Sequence, residues 1–438
     1  MTSRLLDSAR APGSTGPSRL GWLDALRGIA ALVVVFDHSS YTFLPEFRRE
    51  LMPEFSTSRY GIMVFFLVSG YIVPASLERR GCVRTFWIGR FRRVYPLWAV
   101  VVAAFLVAGA LGIAELPDLG RQSVATVAVA HVTMLQELLG TPNLLLVLWT
   151  LSYEMAFYLL VVALFTVRLH QRSAAVAVIL AVVAAVGAAA GVVLPVSALS
   201  DLAGTGPLVA FTSIAMVVAI CCASSASPVL RLVGGVAGGV LALVLVPCNG
   251  TVPLWEGLVM LAVMFLGTAV HRAEHGRSTW RGATRAAVVV AACAVVGAYG
   301  HGDGSHFTRR GWIAAFLLAL VTFGAGLACR RRRIPHPLTG LGTVSYSVYL
   351  LHPLLLAVFD DTIGRRRQDH PVLEAAFFAV LLPLCLLTHR YIEVPGRTWG
   401  RKPAHRPGVN GAPLIRMDRS AVRPRKAPRQ TTVPQRGD

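Results

Sequence analysis

Arg27 and His38 stand eleven residues apart in a segment that is otherwise almost wholly apolar from Gly28 to Phe36. On a helix that spacing is about 16 Å of rise and close to three turns, so the two side chains share nearly one face. A histidine titrates near neutrality, so His38 is a candidate general base on a hydroxyl. The competing reading is a helix-packing histidine held by a neighbour, with Asp37 tuning it or pointing elsewhere. Glu154 lies in the apolar stretch Trp149-Thr150-Leu151-Ser152-Tyr153-Glu154. A carboxylate there is costly and should face the interior, toward a partner such as His38 or an arginine. Arg90 and Arg93, at i and i+3, share a helix face next to a span and suit a phosphate-bearing ligand, or serve only as a topology signal. Ser345, Tyr349 and His352 fall at i, i+4 and i+7 on one face. Ser69-Gly70-Tyr71 permits close helix packing. Glu393 precedes Val394-Pro395 and is expected to neutralise an arginine at the edge of a span or to meet ligand.

These residues need a membrane to position them. The chain has 438 residues, of which 55% are hydrophobic and only 15% charged, against roughly a quarter charged in soluble domains. Its mean hydropathy is +0.60. Stretches long enough to cross a bilayer fall at 22–44, 61–78, 94–113, 144–167, 173–194, 207–223, 231–247, 253–270, 284–300, 311–329, 339–359 and 371–391. The segments 207–223 and 231–247 are short and rich in small residues, so either could be re-entrant, and ten to twelve spans are expected. Segment 122–139, with His131, Gln136 and Glu137, reads as an interfacial or re-entrant helix. The architecture expected is an all-α polytopic transmembrane bundle over residues 21–396. It lies between a disordered segment 1–20 and a disordered basic tail 397–438.

The net charge of +20 would suit nucleic acid, but its distribution does not. Arginines gather in alternate loops, at 79–93, 168–172, 231, 272–285 and 330–333, which places both termini in the cytoplasm by the positive-inside rule. Arg365–Arg367 is the exception, partly offset by Asp360, Asp361 and Asp369. No apolar h-region precedes residue 20, so no cleavable signal is expected. The seven cysteines show no metal-ligand spacing, and no metal is expected.

The ordered set of motifs resembles the bacterial acyltransferase-3 family, integral-membrane O-acyltransferases of sugars, glycans and some macrolides, over residues 20–398. Arg27 and His38 fit its first-helix Arg and His. Ser69-Gly70-Tyr71 fits its Ser-Gly-aromatic motif, Arg90 and Arg93 its Arg-x-x-Arg, and Trp149 to Glu154 its Trp-x-Leu-Ser-x-Glu. Ser345 to His352 fits Ser-Tyr-x-x-Tyr-Leu-x-His, and Glu393 to Pro395 fits Glu-x-Pro. Departures are Ala25, where the family has Gly, and Asp37, where an apolar residue is more usual. No SGNH-type soluble domain is expected after residue 398.

The resemblance implies a multi-pass enzyme of the bacterial cytoplasmic membrane. It would have no permanently bound cofactor and would take acyl-CoA, acetyl-CoA foremost, as co-substrate. Its partners would be the bilayer, the donor and a hydroxyl-bearing sugar, glycan or macrolide, and no nucleic acid. Arg90 and Arg93, helped by Arg27, would hold the donor's phosphates. His38 would act as base or acyl carrier, with Glu154 orienting it as a triad carboxylate does. Ser69, Tyr71, Trp149, Ser152, Ser345, Tyr349 and His352 would line the substrate tunnel, and Ser345 with His352 could also stabilise the oxyanion. The rival reading is a glycoconjugate exporter. It lacks the internal repeat such transporters often carry, since Arg27 and His38 have no counterpart near residue 230.

Overall fold

The computed structural model describes residues 20–192, 194–303 and 308–398. The predicted segment 1–20 and tail 397–438 therefore lie almost entirely outside the described residues. The elements are α1 (Gly21–Phe43), α2 (Pro45–Glu54), α3 (Thr57–Arg80), α4 (Val83–Ala110), α5 (Val124–Val132), α6 (Trp149–Thr166), α7 (Ser173–Ala189), α8 (Ala198–Ala203), α9 (Thr205–Ala223), α10 (Pro228–Asn249), α11 (Leu254–Glu274), α12 (Trp280–His301), α13 (Arg309–Ala328), α14 (His336–Ile363), α15 (Pro371–Thr388) and α16 (Val394–Thr398). A π-helical turn, His389–Glu393, joins the last two. No strand occurs among the described residues.

Eleven helices are long and apolar enough to cross a membrane: α3, α4, α6, α7 and α9 to α15. α1 is not among them, because Asp24, Arg27, Asp37 and His38 depress its hydropathy. It is nevertheless 23 residues long and largely buried at the centre, where protein rather than lipid surrounds its polar groups. Eleven candidate spans among the described residues fall within the expected range of ten to twelve, and α1 is a twelfth long helix packed at their centre. The segments 207–223 and 231–247 are not re-entrant turns but complete helices of 19 and 22 residues.

Helix directions follow from the contacts. α1 and α14 run parallel: Gly342 lies against Asp24 and Gly28 near their starts, and Thr42 donates to Asp360 Oδ1 at 2.6 Å near their ends. α3 runs against α1, with Gly61 on Ala30 and Val34 and Tyr71 edge-on to Trp22, ring centroids 5.3 Å apart. α11 follows α3, from Arg59–Glu256 to Glu78–Arg272. The face on which α1 begins is called the N-terminal face below.

Lipid is as apolar as leucine, so helices associate through close packing of small residues and internal polar contacts. A Cβ at Gly70 would fall on the Met264 carbonyl, and one at Gly342 on the Asp24 carbonyl. The hydropathic window of α11 is 83% buried and those of α3 and α6 78%, against 33% for α7, α9, α12 and α13. α1, α3, α6, α11 and α14 thus form the protein-enclosed centre, and that is where the polar residues sit.

Segment 122–139 is not a single helix, though Val124, Val129 and Val132 stay exposed. It forms α5 and a 3-10 turn, Gln136–Leu139, whose four residues are all buried. Gln136 Nε2 donates to the Leu148 carbonyl at 2.7 Å, and Asn143 Nδ2 and Thr251 Oγ1 donate to Glu137. Its polar groups are consumed by the turn that precedes α6 and are not turned toward water.

Candidate active site

α1 and α14 bring His38 and His352 together. His38 Nδ1 lies 2.9 Å from His352 Nε2, with the rings stacked at 26° and centroids 5.2 Å apart. His352 is fully buried, and its Nδ1 lies 2.9 Å from the Val348 carbonyl. A carbonyl only accepts, so His352 Nδ1 carries the proton. In the neutral pair His352 Nε2 is then an acceptor, His38 Nδ1 donates to it, and His38 Nε2 keeps its lone pair. The side chain of His38 is 12% exposed. A histidine so held has one fixed tautomer and one basic nitrogen free for chemistry.

Two cavities flank the pair. The inner one, of about 680 Å³, is lined by Arg27, Arg93, Glu154, Tyr158, Ser69, Thr150, Ser345, Tyr346 and Tyr349 together with Ile62, Phe65, Phe66, Val94 and Leu151. Arg93 is within electrostatic reach of Arg27, Arg90 and Arg397, so the cavity has a strongly positive side. Its far end is closed by Tyr349, whose hydroxyl meets Thr150 Oγ1 at 2.6 Å and whose ring lies 6.1 Å from that of His352. The outer cleft, of about 1230 Å³, has His38 in its wall and Tyr41, Thr42, Glu115, Asp118, Asp360 and Arg365 among its polar lining. The two share no lining residue.

A family model described as an acyltransferase domain matches residues 20–390, most of the chain. The chain belongs to the acyltransferase-3 family. It is also similar to the acyltransferase MdmB of Streptomyces mycarofaciens, 34% identical over 150 residues. That alignment covers 32% of this chain and 38% of the relative, so the chain matches about two fifths of the length of its curated relative. No solved structure matches.

Of the family's motif residues, Arg27, Arg93, Glu154, Ser69, Ser345 and Tyr349 line the inner cavity, and His38 meets His352. Several sequence expectations are corrected by the geometry. Glu154 is not the partner of His38: it accepts from Tyr158 at 2.5 Å and from Ser69 at 3.5 Å. Its place beside His38 is taken by His352. Arg90 is not in the cavity wall. It donates to Ser76 Oγ at 3.1 Å and sits over Phe86 and Tyr158, backing the wall that Arg93 enters. Tyr71, Trp149 and Ser152 are not among the residues lining the inner cavity. Tyr71 is two residues from Ser69, about 200° round the helix, and donates to Glu274. Trp149 lies under the Arg59 guanidinium, 5.5 Å from its ring centroid. Ser152 is buried and accepts from the Glu137 amide at 3.2 Å. Neither His352 nor Ser345 has a spare donor for an oxyanion, because Ser345 Oγ donates to the Gly342 carbonyl at 2.9 Å. Glu393 is buried and accepts from Ser347 and, at 2.6 Å, from Arg397 Nη2, the neutralising role expected of it.

Asp37 makes its hydrogen bonds with residues other than His38. Arg48 Nη1 donates to its carbonyl at 2.6 Å and to Oδ1 at 3.2 Å, and Thr57 donates to the same carboxylate. Its other oxygen is 3.9 Å from His38 Nε2, beyond hydrogen-bond reach. Thr150 and Tyr158 are cavity residues that the sequence reading passed over. Tyr158 was detectable as the i+4 neighbour of Glu154 on a polar face of an otherwise apolar span.

Proposed function

We propose that this protein is a membrane-embedded O-acyltransferase moving an acyl group, acetyl foremost, from acyl-CoA to a hydroxyl of a carbohydrate, glycolipid or glycosylated natural product. The observation that carries the reading is the His38–His352 pair, which leaves one basic nitrogen between a positive inner cavity and an open outer cleft. Acyl-CoA enters from the N-terminal face, taken as cytoplasmic on the arginine distribution. Its phosphates meet Arg93 and Arg27, and its thioester extends toward Tyr349 and the histidines. The acceptor occupies the outer cleft.

The hydroxyl oxygen attacks the thioester carbonyl carbon as His38 Nε2 takes the hydroxyl proton. The new C–O bond forms, the C–S bond breaks, and the proton passes from His38 to the departing thiolate sulfur. His352 fixes the His38 tautomer and shares the charge that develops on it. Glu154, held by Tyr158 and Ser69, balances the arginines and does not act on the imidazole.

The test uses the protein in nanodiscs with radiolabelled acetyl-CoA and a panel of sugar, glycolipid and macrolide acceptors. The reading requires label in an acceptor from wild type and none from His38→Ala. Undiminished transfer by a well-folded His38→Ala protein, or acetyl-CoA that neither binds nor turns over, overturns it.

A further inference from the structure

A second cleft, of about 1590 Å³, opens on the N-terminal face where three loops converge. Arg84 comes from the first turn of α4, Arg168 and His170 from the link between α6 and α7, and Ser224, Ser225 and Arg231 from around the start of α10. No carboxylate lines it. The three guanidiniums are exposed and make no hydrogen bond or ion pair with any described residue. His170 Nδ1 is buried yet has no hydrogen-bond partner.

Arg168 also carries φ of +61°. It ends α6 with its amide on the Phe165 carbonyl and the Leu169 amide on the Leu164 carbonyl, a helix stop that glycine occupies without strain. An arginine there costs about 1 kcal/mol or more, which makes sense if the side chain is used.

We propose that this cleft binds the phosphodiester headgroup of an anionic glycerophospholipid. The cations supply the charge complement, and basic pockets between spans at a membrane surface take such headgroups. A zwitterionic headgroup would find no carboxylate for its ammonium. The acyl chains have a track, because Leu232 lines the cleft and, with Val233 and Val236, is 41–56% exposed along α10. The same phosphate chemistry exists at the nucleotide end of acyl-CoA. However, this cleft shares no lining residue with the inner cavity, where Tyr158 is packed edge-to-face against Phe86 and Trp87 with centroids 5.9–6.3 Å apart.

Cys82 lines the cleft and is exposed, and hydrogen bonding with Thr85 holds its thiol below the ordinary range, so it reports occupancy. The protein is placed in nanodiscs of phosphatidylcholine alone or with phosphatidylglycerol. Alkylation of Cys82 by uncharged N-ethylmaleimide is followed by peptide mass spectrometry. Cys329, which ends α13 on the same face and outside the cleft, corrects for the general effect of surface charge. Relative to Cys329, Cys82 should react about tenfold more slowly with phosphatidylglycerol present. The protection should vanish in Arg84→Gln/Arg231→Gln and in Arg168→Gly, a change that relaxes the backbone and so keeps the fold. Coenzyme A or 3′,5′-ADP added to phosphatidylcholine discs should give none. Equal rates in the two discs, or protection that survives loss of the arginines, overturns the proposal. Protection by either nucleotide also overturns it and assigns the cleft to the donor. None of these readouts requires acyl transfer, so they stand or fall apart from the proposed activity.

Discussion

The two cavities that meet at the histidine pair differ in charge and enclosure. The inner one places Arg27 and Arg93 opposite Glu154, with Arg90 and Arg397 close behind. The outer one carries Glu115, Asp118 and an Asp360 that is paired with Arg365 at 3.1 Å. A polyanionic donor and a neutral or cationic acceptor would sort themselves between such surroundings before any contact is made. On the proposed function, specificity for the donor would rest on a few strong charges in an enclosed space, and handling of the acceptor on weaker, solvated contacts.

That contrast can be broken or sharpened by substitution. His38→Ala removes the proposed base from the wall of the outer cleft and should lower kcat about 10³-fold in an acetyl-transfer assay. His352→Ala frees the His38 tautomer without touching either substrate. It should lower kcat about 10²-fold and leave both KM values near wild type; a change confined to KM would mean that His352 contacts a substrate. Arg93→Gln should raise the KM for acetyl-CoA about tenfold and spare the acceptor KM, since it removes charge-assisted hydrogen bonds to phosphate. Glu115→Gln should shift the acceptor KM by about twofold and leave the donor KM alone, because exposed charges are screened. If the last two effects exchanged cavities, the assignment of donor and acceptor would be reversed.

Much of the fold was legible in the residues. Each of the twelve apolar stretches became a long helix, eleven of them apolar enough to cross a membrane, and polar residues that lipid would reject became the lining of the centre. His38 and His352 could be singled out because each is costly in a span. That they touch was not legible, since it depends on the parallel packing of α1 on α14 through Gly28 and Gly342. The expected Glu154–His38 contact failed for the same reason: similar depth on two helices does not make two side chains neighbours. Tyr71 was misassigned because adjacency in a motif was read as adjacency in space. In segment 122–139 an amphipathic pattern cannot say whether the polar residues meet water or a buried network such as that of Glu137, Asn143 and Thr251.

The parallel seating of α1 on α14 has a consequence for biosynthesis. The two histidines are 314 positions apart, so a ribosome adding roughly 5–20 residues per second finishes His352 about 15–60 s after His38. During that interval the most polar helix of the bundle must be kept in the membrane by its early neighbours. α2 and α3 supply what it needs: Arg48 and Thr57 satisfy Asp37 within twenty residues of chain. The nitrogen assigned to catalysis therefore acquires its fixed tautomer only after residue 352 has been made, and on the proposed function a nascent chain that stops short of α14 would carry an unassembled and silent site.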